Sequence, residues 1–233
     1  TASLDHNVER LLTALDEMGI ADNTVFVFTS DHGEMFGAHG RRAKLIFYEE
    51  AIRVPFLVRW PGRIRPTASD ALLGTPDILP TLLGLLGVPS PSTAEGSDLS
   101  GHLLGTGART PESQVLQGMG ATANWSVGHE WRGIRDHQFT YAVFHRDGKE
   151  LLFDHRADPL EMHNLAGDRA QEAKLRHFRE QLAAWRKEHN DVFEESAWYE
   201  SRWTRDRNIV DTATGVKQDL NALAEMQRHY PSA

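Results

Sequence analysis

Apolar residues recur at helical spacing from the start of the chain. Leu4, Val8, Leu11, Leu12, Leu15 and Met18 share one face of a 3.6-residue repeat, and Gly19 follows as a stop. The next run, "NTVFVFTS" at 23–30, is apolar on successive positions, which predicts a strand buried on both faces, as in a parallel sheet covered by helices. "VPFLVRW" at 54–60 predicts a second strand, closed by a Pro61-Gly62 turn. Thr75-Pro76-Asp77 reads as a helix start, with Thr75 as N-cap and Pro76 in the first turn. Ile78, Leu79, Leu82, Leu83, Leu85 and Leu86 then continue to Gly87, and Pro80 falls early enough to be tolerated. Helix, short turn and buried strand in succession is the unit of an α/β fold.

The texture then changes. Residues 88–113 are rich in Pro, Gly, Ser and Thr and predict a long surface connection with a short helical turn near Leu99 to Leu104. From Ser126 to Asp154 the pattern alternates, and Asp147-Gly148 between two apolar runs predicts a hairpin in an antiparallel sheet. After Asp168, Leu175, Phe178, Leu182 and Trp185 line one helix face. Beyond residue 190 periodicity fades, but Trp198, Tyr199 and Trp203 predict a tail wrapped against the body. The organisation expected is an α/β portion over 1–113, a small antiparallel-sheet subdomain with its helix over 114–189, and a tail over 190–233. No internal repeat is visible.

Composition narrows the chemistry. The 233 residues are 40% hydrophobic and 25% charged, an ordinary globular balance with enough length for a core. The net charge of −8 disfavours a nucleic-acid partner, which needs a basic face. No apolar stretch approaches the roughly 18 residues of a membrane span. There is no cysteine, hence no disulfide, thiolate metal site or cysteine nucleophile within these residues.

One segment concentrates chemical side chains. "FTSDHGEMFGAHGRRAKLIFYEEAIRVPFLVRWPG", 28–62, puts Asp31 and His32 where the first strand ends, then His39 and Lys44. Ligands bind at the carboxyl edge of strands in open α/β sheets. Carboxylate and neutral imidazole both offer electron pairs to divalent metals, and a lysine one loop later can reach an anion beside the metal. Taken singly, each has a plainer reading: Asp31 in a turn, His39 in a loop or core, Lys44 in solvent, Arg53 in a structural ion pair. It is the set and its spacing that point to a site.

The same stretch resembles the metal-and-anion segment of the type I sulfatases, in the alkaline-phosphatase-like superfamily. "DNTVFVFTSDHGEMFGAHG", Lys44 and "YEEAIRVPFLVRWPGRI" carry the likeness, and "TPDILPTLLGLLGVP", "EGSDLSGHLLG" and "ELLFDHRADPLEMHNLAGD" extend it in the family's order from about residue 4 to about 187. The resemblance implies a partial sulfatase-like α/β sandwich with a small C-terminal antiparallel sheet and packing helix. It implies Asp31 and His32 as metal ligands, Lys44 as the catalytic group that binds sulfate oxygens, and His39 as a further catalytic candidate near the pocket. The metal implied is calcium, with manganese or magnesium also suited. The substrate implied is a small-molecule or saccharide sulfate ester. His32 stands where family members carry Asn or His, including phosphonate monoester hydrolases, so it does not separate sulfate from phosphonate chemistry. The Asp158-Pro-x-Glu-x-x-Asn164 run reads as a turn brace. Trp125, His129 and Trp131 suit either a sugar-binding rim or packing of the small sheet.

The departure from the pattern is specific. Sulfatases use a formylglycine made from the first residue of a Cys/Ser-x-Pro-x-Arg segment, and no Ser here heads one. The family's early metal-binding Asp pair also has no counterpart. The expectation is a C-terminal portion of a sulfatase, inactive alone, with formylglycine in the N-terminal part. A sister phosphonate or phosphodiester hydrolase, or a non-catalytic relative, remains open.

Overall fold

The structure, a computed structural model, describes residues 2–118, 130–205 and 208–209. The chain forms two compact units, one of residues 1–44 and 49–114, the other of 45–48 and 115–233.

The first unit begins with helix α1, Ala2–Glu17. Its apolar stripe is only partly covered, and Leu4 and Leu11 each remain 57% exposed. Strand β1, Phe26–Thr29, follows, then a long loop, the short helix α2, Glu49–Ile52, and strand β2, Phe56–Arg59. The expected parallel arrangement is not what forms. β1 and β2 pair antiparallel, Phe26 opposite Arg59 and Thr29 opposite Phe56. A continuous apolar run reports burial and not direction; here the chain turns back through a loop and one short helix, so the second strand returns along the first. β1 is half-buried, not covered on both faces. Asp16 ties α1 to β2 by accepting from Arg59 Nη2 at 3.1 Å, and Trp60 Nε1 donates to the Asp22 carbonyl at 2.9 Å.

Helix α3, Thr75–Leu85, starts with Gly74 at the N-cap, one residue before the expected Thr75. The cap is closed by Asp77, whose carboxylate accepts from Gly74 N at 2.8 Å. Asp77 is buried and also accepts from Ser97 N and Gln114 Nε2, both at 2.7 Å. Three hydrogen bonds explain how a carboxylate is tolerated there. Pro80 has no N–H to give Pro76, four residues back, and Gly96 packs against that carbonyl so tightly that a Cβ on it would lie 2.0 Å from the oxygen. Helix α4, Ser100–Leu103, is the helical turn expected near Leu99. Its approach is not wholly at the surface: Leu99 is buried, and its N–H donates to Thr81 Oγ1 at 3.0 Å.

The second unit is built on a four-stranded sheet in the order β3–β4–β5–β6, comprising Ser113–Gly118, Trp131–Asp136, Phe139–Phe144 and Glu150–Asp154. The β4–β5 and β5–β6 pairs are antiparallel, as the alternation predicts. The Asp147-Gly148 hairpin forms with Gly148 at φ 64° and Lys149 N donating to Asp147 Oδ1 at 3.0 Å. Helix α5, Glu172–Glu188, lays Leu175, Phe178 and Leu182 on Ile134, Phe139, Tyr141 and Leu152. Phe178 stacks on Tyr141 with ring centroids 5.8 Å apart. Fully burying side chains of this size stabilises by roughly 1.5–3 kcal/mol each.

The 158–164 run braces the turn after β6. Asn164 Oδ1 accepts from Leu152 N and Ala166 N at 2.9 and 3.0 Å, and Asp158 Oδ2 accepts from His163 N at 2.7 Å. Helix α6, Ser196–Trp203, docks through Tyr199, which is buried beside the Arg132–Asp191 ion pair. The Trp203 side chain lies outside the described residues, as do Trp125 and His129. Trp131 is a packing residue: it is buried, donates to the Leu45 carbonyl at 3.0 Å and meets Phe47 edge-on at 5.2 Å.

Candidate metal and oxyanion site

The site is assembled by the loop that leaves β1. Gly33 follows His32 and sits so close to α2 that a Cβ on it would lie 1.9 Å from the Glu50 carbonyl oxygen. Its N–H donates to the Ala51 carbonyl at 2.8 Å, pinning the loop to α2. The loop then folds on itself as a narrow hairpin, with Met35 N on Ala43 O at 2.9 Å and Gly37 N on Arg41 O at 2.7 Å. Met35 is buried beneath it. Glu34 acts as a strut inside the hairpin, accepting from Ala43 N at 2.5 Å and from Phe36 N at 3.4 Å. The consequence is spatial: Lys44, twelve residues beyond His32, returns to it.

Three of the four residues singled out by sequence come together. His32 Nδ1 lies 2.7 Å from the Gly33 carbonyl oxygen, which can only accept, so Nδ1 carries a proton and the neutral ring has its lone pair on Nε2. Nε2 lies 2.5 Å from Lys44 Nζ and 3.1 Å from Asp31 Oδ2. The other Asp31 oxygen accepts from His32 N at 3.0 Å and from Ser30 Oγ at 3.4 Å. Desolvation acts to raise the Asp31 pKa, but the electrostatic interaction with His32, the backbone amides and the Ser30 hydroxyl outweigh it and hold the carboxyl below its usual range. Asp31 is therefore a carboxylate at neutral pH.

An imidazole lone pair and a carboxylate oxygen 3.1 Å apart repel one another unless a positive charge lies beside them, and here the Lys44 ammonium supplies it. Nitrogen and oxygen donors of this kind suit calcium, manganese or magnesium on the carboxylate side and manganese or zinc on the imidazole side. Nδ1 bonded to a backbone carbonyl is the support a ligating histidine requires to hold its tautomer. The residues present thus fit a divalent metal. They form an open, one-sided set: the Asp31 side chain is 82% exposed and that of His32 is 34% exposed.

His39 has a different partner. It sits at the tip of the hairpin with φ 51°, its side chain 10% exposed, and its Nε2 lies 3.9 Å from Glu50 Oε2. Arg53 pairs with Glu49 at 3.8 Å, the structural role expected of it. Sequence reasoning missed Glu34 and the Gly33 carbonyl. A glutamate in a glycine-rich loop was the visible signal for the first; the second is a backbone atom and leaves no residue-type signal.

Residues 1–88 match the Sulfatase family model. Among curated proteins, the chain is 37% identical over 167 residues to an ulvan-active sulfatase of Formosa agariphila, covering 70% of this chain and 32% of that protein. It is 33% identical over 195 residues to an N-acetylglucosamine-6-O-sulfatase of Bacteroides thetaiotaomicron, covering 81% and 35%. Among solved structures, it superposes with a TM-score of 0.75 and 32% identity on a protein bound to its substrate D-glucosamine-2-N,6-O-disulfate, covering 82% of this chain and 40% of that one. The phosphonate monoester hydrolase of Agrobacterium radiobacter superposes with a TM-score of 0.70 and 28% identity, covering 81% and 40%. Residues 1–88 thus carry the sulfatase family pattern, and the fold resembles that of sulfatase structures of the alkaline-phosphatase-like superfamily. The chain spans about a third of the length of these two curated relatives.

Proposed function

We propose that this chain supplies one side of the active site of a sulfuric-ester hydrolase, and that its substrates are sulfated saccharides. The observation that carries the reading is the tautomer lock: Gly33 O on His32 Nδ1 presents the Nε2 lone pair beside the Asp31 carboxylate, with a lysine ammonium at the same point. Asp31 and His32 would hold a divalent metal, calcium by the family likeness. When bound, that metal would supply Lewis-acid neutralisation of the ester's negative charge. Lys44 would stabilise charge developing on the sulfuryl oxygens, acting as a compact point charge on a flexible stem. His39 belongs to the same loop, and its pairing with Glu50 favours a role in shaping that loop over contact with substrate. The sugar-sulfate preference rests on the curated relatives, two of which are named for activity on ulvan or N-acetylglucosamine sulfate.

No Cys and no Ser-x-Pro-x-Arg occurs in these 233 residues. On this reading the formylglycine nucleophile comes from residues outside them, and the 233-residue chain by itself hydrolyses nothing. The phosphonate monoester hydrolases among the structural neighbours keep a second reading in play, because they share the fold at similar coverage.

The test compares 4-nitrophenyl sulfate with 4-nitrophenyl phenylphosphonate as substrates of the protein carrying both this chain and a nucleophile segment. Faster hydrolysis of the sulfate, lost in Asp31→Asn and slowed in Lys44→Ala without loss of folding, is expected. Faster hydrolysis of the phosphonate would transfer the assignment to the sister activity. Absence of either reaction with metal present would make the chain a non-catalytic relative. Robust metal-dependent turnover by the 233 residues alone would overturn the external nucleophile.

A further inference from the structure

We propose that Lys44 is a built-in competitor for the metal position, so that metal and oxyanion bind this site cooperatively by moving one ammonium. The inference rests on the metal reading above and adds to it how the site is regulated. With Nδ1 protonated toward Gly33, His32 has a single lone pair, on Nε2, and Lys44 Nζ donates to it at 2.5 Å. A metal ion needs that same pair. The two cations cannot share it, and they repel at such a separation.

The backbone that carries Lys44 is constrained on both sides, while its stem stays free to move. The residues on either side of it, Ala43 and Leu45, both have positive φ, 64° and 75°, which non-glycine residues adopt only under constraint. The Ala43 amide is fixed by Glu34 Oε1 at 2.5 Å, and the Ala43 carbonyl by Met35 N at 2.9 Å. Glu34 is thus a positioning residue for Lys44.

A displaced Lys44 ammonium, exposed and on a flexible stem, can instead meet the oxygens of an anion beside the metal. An anion that draws Lys44 away from His32 therefore helps the metal bind, and the metal that displaces Lys44 helps the anion bind. Linkage requires the two effects to be equal.

Calorimetric titration of the protein carrying both this chain and the nucleophile segment with Mn2+, with and without inorganic sulfate, tests this. Mn2+ suits both donors and its sulfate is soluble. Lys44→Met keeps the stem and removes the charge. Without sulfate it should bind Mn2+ about tenfold more tightly than wild type, the lower range for losing one charged hydrogen-bond competitor. Sulfate should tighten Mn2+ binding by the wild type, and Lys44→Met should lose most of that response. Glu34→Gln, which loosens the strut, should fall between them in the absence of sulfate. Equal or weaker Mn2+ binding by Lys44→Met, with Asp31→Asn still abolishing it, would overturn the competition and leave the metal site standing. If wild type and Lys44→Met both fail to bind Mn2+, the competition and the metal site fall together.

Discussion

Glu34 and Ala43, nine residues apart, are joined across the mouth of the site loop by a carboxylate accepting from a backbone N–H at 2.5 Å. With the backbone bonds Met35 N–Ala43 O and Gly37 N–Arg41 O, this bond closes the hairpin that returns Lys44 to His32. Hydrogen bonds to a charged group contribute about 1.5–3 kcal/mol, and this one is part-buried, so the lower end applies. Glu34→Ala should lower unfolding stability by about 1–2 kcal/mol. It should also speed tryptic cleavage at the exposed Arg41 and Arg42, which lie at the hairpin's end. Glu34→Gln keeps an oxygen acceptor and should recover much of the protection. A digestion rate in Glu34→Ala equal to wild type would show that the strut does not hold the loop.

In the second unit, Arg132 is 1% exposed and meets Asp191 with two bonds, Nε to Oδ2 at 2.7 Å and Nη2 to Oδ1 at 2.8 Å. The Arg132 guanidinium also lies over the Phe193 ring at 4.8 Å, and the Tyr199 hydroxyl donates to Asp191 at 3.2 Å. Removing one member of such a pair leaves the other charge buried without its partner. Asp191→Ala should therefore cost about 3–5 kcal/mol in urea unfolding, far more than the pair contributes relative to apolar residues of the same shape. The double variant Arg132→Met, Asp191→Leu should regain most of that loss. A double variant no better than Asp191→Ala would mean that packing around Tyr199, and not the stranded charge, sets the penalty.

Acid stability follows from the same carboxylates. Desolvation acts to raise the Asp191 pKa, but its bonds and charge interaction with Arg132 prevail and hold it below the usual range. For Glu150 the bonds from Arg179 come first and lower the pKa, against desolvation and with help from the Tyr141 hydroxyl. A carboxylate whose folded pKa is depressed stabilises the fold above its unfolded pKa. That contribution is lost as pH falls through the folded value. Melting temperature should thus stay level from neutral pH down to about pH 5 and fall below about pH 4. Arg179→Met should flatten part of the acid slope, because Glu150 then titrates nearer its ordinary range. A melting temperature that falls mainly between pH 7 and 5 would point to histidines instead.

How much of this was legible in the sequence divides along a physical line. Periodicity is local, so the α5 face of Leu175, Phe178 and Leu182 and the Asp147-Gly148 hairpin could be read directly. Strand direction is not local. "NTVFVFTS" reported an apolar strand correctly, but nothing in it encodes the antiparallel return of β2. Asp31, His32 and Lys44 were recognisable because their residue types and spacing are unusual together. The bonds that orient them were not, since Gly33 O and Ala43 N are backbone atoms that every sequence has. Arg132 and Asp191 are 59 positions apart, and no pattern in a single sequence links them.

Gly33 is where fold and site meet most closely, and it gives the sharpest contrast between two glycines of one loop. A Cβ at Gly33 would lie 1.9 Å from the Glu50 carbonyl oxygen and 2.9 Å from its carbon, both backbone atoms, so relief requires moving α2 or the loop. A Cβ at Gly37 would meet nothing within 4 Å, and only its φ of 101° opposes a side chain. Gly33→Ala should therefore destabilise by about 2–3 kcal/mol, the range for overpacking against unyielding neighbours. Gly37→Ala should cost about 1 kcal/mol, from strain alone. Because Gly33 O is the acceptor that fixes the His32 tautomer, Gly33→Ala should also weaken Mn2+ retention after dialysis, by about 10-fold if the loss of a ligand's outer hydrogen bond is the cause. Gly37→Ala should leave retention near wild type. If both variants lost metal to the same degree, general loosening of the loop would explain the result. If Gly33→Ala melted and retained Mn2+ like wild type, the close approach to α2 would not exist in solution.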